Sequence, residues 1–155
     1  RVWTDKKEYE VNEKIVFKIK SEKNGYLTML DVSPNGNITV IFPNKFKKDN
    51  FIEGGVTYQV PAPDYGFEFK VTGPTGLERI KAIVTQNKVH LLKLDWENGF
   101  HTLNKKTTRG TRGIQMLSKK VELVGSAWSE AYSEIFIFNE GDKYTRGSRK
   151  ITSAK

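Results

Sequence analysis

The stretch from Gly25 to Asn50 constrains the fold of this chain more than any other. Two apolar runs, residues 26–32 and 38–42, flank Ser33-Pro34-Asn35-Gly36-Asn37. Proline presets φ for a turn, and Asn-Gly accepts the positive φ that tight hairpin turns need. The spacing predicts an antiparallel hairpin. Ile38, Val40 and Phe42 are expected on one face of its second strand, and Leu30 and Val32 on one face of its first.

The same period-two alternation recurs on both sides of the hairpin. Ile15, Phe17 and Ile19 alternate with Lys18 and Lys20, the pattern of a half-buried strand. Val56, Tyr58 and Val60 alternate up to Pro61 and predict a short edge strand. Phe67, Phe69 and Val71 follow, then Ile80, Ala82 and Val84 with Arg79 and Lys81 opposite. The segment 44–55 reads as a polar loop. Its Phe46, Phe51 and Ile52 are expected to fold back over the core rather than form a sticky surface.

The period changes after Gln86. Ile114, Leu117, Val121 and Val124 recur at helical spacing, which predicts an amphipathic helix near residues 112–123, closed by Gly125. The run 133–138 reads as a last strand covered on both faces. These patterns define an all-β fold: an antiparallel immunoglobulin-like β-sandwich of seven to nine strands, with one helix. Residues 1–138 are read as one domain and residues 139–155 as a polar, basic tail. Arg1 leads directly into a strand-like run, as expected of a trimmed or processed chain.

Composition narrows the functional classes. The chain has no cysteine, which excludes disulfides, thiolate catalysis and thiolate-held zinc. No apolar run approaches the ~20 residues of a membrane-spanning helix. The net charge of +8 is concentrated in two regions. Residues 87–125 hold 8 Lys+Arg against 3 Asp+Glu, and residues 139–155 hold 5 against 2. A localised excess points to an anionic partner or to solvated loops.

Candidate chemistry is sparse. His90 and His101 are too few for a zinc site. Asp95, Trp96 and Glu97 offer two carboxylates beside a sugar-stacking ring, the elements of a carbohydrate site, but the spacing suits a polar turn better. Asp31 with Asp49 and Asn50 offers hard oxygens for calcium, although Asx turns explain them equally well. No nucleophile elbow, phosphate loop or dinucleotide fingerprint is present. The patch worth testing is 105–113, where Lys105, Lys106, Arg109 and Arg112 precede the predicted helix and form a candidate anion site. No aromatic residues interleave with these cations, which argues against nucleic acid.

Several motifs occur in a recognisable order. Tyr9-Glu10-Val11-Asn12-Glu13 precedes a strand and Gly25-Tyr26-Leu27 opens the hairpin. Pro34-Asn35-Gly36 turns it and Ile41-Phe42-Pro43-Asn44 closes it. Asp49-Asn50-Phe51-Ile52, Tyr65-Gly66-Phe67 and the run 76–83 follow. In these features the first 86 residues resemble the DUF4384 family, a bacterial domain of unknown function. Asn12 stands where that family usually has glycine. The resemblance implies a non-catalytic β-sandwich joined to other modules or to a secretion signal. It therefore implies an extracytoplasmic, envelope-associated setting, and it transfers no catalytic residue, cofactor or metal.

The expected function is that of a non-enzymatic interaction module for a protein, glycan or acidic-polymer partner. The alternatives are an anion-binding module acting through the 105–113 loop on acidic polymers or lipid headgroups, and a carbohydrate-binding domain.

Overall fold

The computed structural model describes residues 1–88, 101–103 and 128–142, with backbone alone for 101–103 and Trp128. The helix expected at 112–123 lies outside the described residues. So does the tail beyond Asp142.

Among the described residues twelve strands are formed, several of them only two residues long, against the seven to nine expected: β1 (Val2–Trp3), β2 (Glu8–Glu10), β3 (Lys14–Ile15), β4 (Phe17–Lys20), β5 (Gly25–Val32), β6 (Ile38–Phe42), β7 (Phe51–Ile52), β8 (Thr57–Val60), β9 (Phe69–Lys70), β10 (Gly76–Thr85), β11 (His101–Leu103) and β12 (Trp128–Phe138). The larger sheet runs β11-β6-β5-β10-β12-β2, with β7 also pairing β5. A three-stranded sheet runs β1-β4-β8, and β3 pairs β9. All pairs are antiparallel except β12 with β2, which are parallel. The fold is an all-β sandwich.

The expected alternation accounts for the inner faces. Phe17 and Ile19 of β4 and Val60 of β8 meet Leu27 and Met29 of β5, Ile80 and Ala82 of β10, and Ile135 and Ile137 of β12 in one apolar cluster. Burying each such side chain contributes roughly 1.5–3 kcal/mol. β8 sits at a sheet edge, as the proline after it requires. Asn12 has φ 74°, so it occupies the left-handed conformation that asparagine tolerates better than most residues.

Two expectations about faces are corrected. Ile38, Val40 and Phe42 do not share a face. The register shifts between Met29 and Leu30, so Phe42 opposes Met29 while Val40 opposes Leu30. This bulge sends Phe42 and Ile41 into the apolar cluster. Leu30, Ile38, Val40 and Ile83 are also buried but stand outside that cluster, on the other face of the sheet. The second correction concerns the 44–55 loop. Ile52 is buried as expected, but Phe46 is 57% exposed and Phe51 44% exposed. Residues 51 and 52 form a short strand on β5 instead of a cap over the core.

The last strand begins five residues before the predicted position. It pairs with β10 from Gly76↔Ile137 to Thr85↔Trp128. Ser133 is buried on its inner side, while Tyr132 on the outer side is 73% exposed.

Candidate functional site

The loop that leaves β6 is held from inside. Asn44 is fully buried. Its Oδ1 accepts hydrogen bonds from the amides of Phe46 and Lys47, each at 3.0 Å. Its Nδ2 donates to the carbonyl of Ile41 at 3.1 Å. The Asn44 amide donates in turn to the carbonyl of Lys47 at 3.1 Å. An asparagine whose amide group is used at both ends ties the turn to the strand it leaves. The next anchor is Asn50, buried, with Nδ2 donating to the Leu27 carbonyl at 2.8 Å.

On this braced loop Phe46 projects outward. One side of its ring stacks on Phe67, with centroids 5.9 Å apart and planes 28° apart. Phe67 meets Tyr65 at 5.9 Å and Phe69 at 5.3 Å. Tyr65 stacks on Phe42 at 6.1 Å with planes 9° apart, and Phe69 reaches Phe17 in the core. A continuous run of rings therefore leads from the sandwich interior to the exposed Phe46. Lys47 Nζ lies 5.2 Å from the centre of the Tyr65 ring, within cation–π range. Burial raises the Tyr65 hydroxyl above its usual pKa, helped by the charges of Asp64 and Asp49.

A second feature lies at the far end of β5. Asp31 pairs in register with Ile80, so Glu78 is its diagonal neighbour on the same inner face. The two carboxyl groups share a hydrogen bond. Asp31 Oδ1 is buried and receives no hydrogen bond from any amide or hydroxyl of the protein. Burial first, then the Glu78 contact and charge, push the Asp31 carboxyl up to about 9. Burial also raises Glu78, partly offset by the hydrogen bond from Asp31. At neutral pH the pair retains a proton.

This geometry separates the residues considered together as calcium ligands. Asn50 lies beside Leu27, at the opposite end of β5 from Asp31. Asp49 Oδ1 instead accepts the Phe51 amide at 3.2 Å, an Asx turn. Among the described residues no group of three or more acidic or histidine side chains is placed to hold a metal. Lys105, Lys106, Arg109, Arg112, His90, Asp95, Trp96 and Glu97 all lie outside the described residues, and His101 is described by its backbone alone, opposite Val40. Also among the described residues, no helix is long and apolar enough to cross a membrane.

Sequence reasoning missed the aromatic surface because it placed Phe46 against the core. The run Lys45-Phe46-Lys47-Lys48 did not decide the matter locally, because Ile19 also stands between two lysines, Lys18 and Lys20, and is buried. The Asp31–Glu78 pair carries no local signal and becomes visible only once the β5–β10 register is known.

The molecule is thus an all-β sandwich that displays a braced, partly exposed aromatic loop. Its sequence matches the domain of unknown function family DUF4384 over residues 8–88, and the chain belongs to that family. Comparison with the curated proteins and with the solved structures gave no match.

Proposed function

We propose that this domain is a non-catalytic interaction module of a bacterial, extracytoplasmic protein. It engages its partner through the face built by residues 44–48 and 65–69. The observation that carries this reading is Phe46, 57% exposed on a loop fixed by the buried Asn44. Leaving a large ring in water forgoes the stabilisation that its burial would give. Holding it on a rigid loop lowers the ordering entropy that association costs. Exposed aromatic anchors in fixed positions are what dominate protein interfaces.

The experiment places a photo-crosslinking amino acid at position 46 of the full-length protein in its native cells. Val56, also exposed, serves as the control position. The expected result is discrete adducts from position 46 and none from position 56. Equal yields at the two positions would overturn the reading.

A further inference from the structure

The chemistry of the loop also defines what it is suited to meet. Lys45 and Lys48 are exposed on either side of Phe46 and Lys47, and Lys47 lies over Tyr65. Among the described residues, the carboxylates that form ion pairs are engaged by other cations: Glu13 by Lys6, Glu68 by Lys14, Asp5 by Lys18, Glu134 by Arg79 and Glu130 by Lys81. None of the three loop lysines forms an ion pair there. Three lysines without an ion pair thus flank one exposed ring along the loop.

Resting on the interaction reading above, we propose that this loop docks an acidic polypeptide segment carrying an apolar side chain. The apolar side chain packs on Phe46 and the half-buried edges of Phe67 and Tyr65. Carboxylates of the same segment face Lys45, Lys47 and Lys48. Complementary charge of this kind steers encounter and fixes register, while the ring supplies the desolvated centre.

Two other occupants fit less well. A flat anionic lipid surface would bring its charge against Asp49 and Asp64 as well as the lysines, because both carboxylates act on Tyr65 at the centre of the patch. A polypeptide can place its charges selectively. A glycan needs side-chain hydrogen bonds beside a free ring face. The Asn44 amide is spent inside the loop, and one side of Phe46 is covered by Phe67.

The test is fluorescence anisotropy with short labelled peptides of defined design. The first carries Asp and Glu with Leu and Phe. The second replaces Leu and Phe by Ser. The third replaces the acids by Lys. Vesicles of phosphatidylglycerol and phosphatidylcholine form a separate arm. The first peptide is expected to bind at least about tenfold more tightly than either control, and to weaken as salt rises. Phe46→Ser and the double variant Lys45→Glu/Lys48→Glu are each expected to reduce its binding about tenfold. Thermal melts of both variants are expected to match that of the parent protein, since these side chains are exposed.

Equal binding of the three peptides, insensitivity to Phe46→Ser, or stronger binding to vesicles than to any peptide would overturn the proposal. Crosslinking at position 46 without binding of the acidic, apolar peptide would leave the interaction reading standing and remove this inference alone. Failure of both experiments would remove both.

Discussion

Asp31 and Glu78 show how a single pair of side chains makes stability depend on pH. The Asp31 carboxyl is held near 9 in the fold, against 3.8 as a free side chain. The folded state therefore keeps a proton that the unfolded chain releases. The stabilisation from that proton is complete below about pH 4 and is lost as pH rises through the folded value. One retained proton gives a slope of up to about 1.4 kcal/mol per pH unit. Asp31→Asn keeps the shape of the side chain and removes its ionisation. Urea denaturation is expected to show equal stability for the two proteins near pH 4 and higher stability of the variant near pH 9. Parallel curves across that range would contradict the shared proton. The charge pattern of β5 could not have revealed this. Asp31 alternates correctly with its neighbours, and only the register with β10 shows that it faces inward.

Elements differ in how much of themselves the sequence discloses. β4 and β10 were legible because apolar residues recur at intervals of two, Phe17 and Ile19 in one and Ile80, Ala82 and Val84 in the other, and within that second run only Ile83 breaks the alternation. β6 was legible as a strand but not in its facing. Val40, Ile41 and Phe42 are all apolar, and nothing in such a run says where an extra residue will break the alternation. The 44–55 segment departs from its expected course for a related reason. Hydrophobicity alone pointed Phe46 inward, while the buried amide of Asn44 sets the direction in which the loop leaves. The 105–113 patch, the main site expected from charge, lies outside the described residues, so the platform that now carries the functional reading came from the structure.

Contact between neighbouring strands also explains one residue that the hairpin needs. A Cβ on Gly25 would lie 2.6 Å from the Thr85 carbonyl oxygen and 2.6 Å from Val84 Cγ1. The carbonyl belongs to the backbone of β10 and cannot turn aside. Gly25→Ala is expected to destabilise the domain by about 1–3 kcal/mol, the usual cost of overpacking, read from the urea midpoint. A midpoint unchanged by the substitution would mean that β5 and β10 can separate at this end without loss.

At the scale of the whole molecule, the family match and the folding unit are not the same length. The matched region, 8–88, ends after β10. The sandwich is completed by β12, which pairs β10 along its full length and adds Ile135 and Ile137 to the apolar cluster. Without β12, one side of β10 loses its ladder and the inner face beside it meets water. A polypeptide of residues 1–88 is expected to show no cooperative thermal transition by circular dichroism. A sharp melt from that fragment would place the folding unit within the matched region.

β12 also pairs with β2 in parallel, so residues 136–138 lie beside residues 8–10. During biosynthesis the earliest strands therefore leave the ribosome long before the strand that seals them. The sheet cannot be closed between β10 and β2 until translation has passed Phe138, so the final step of assembly must follow emergence of that segment from the exit tunnel.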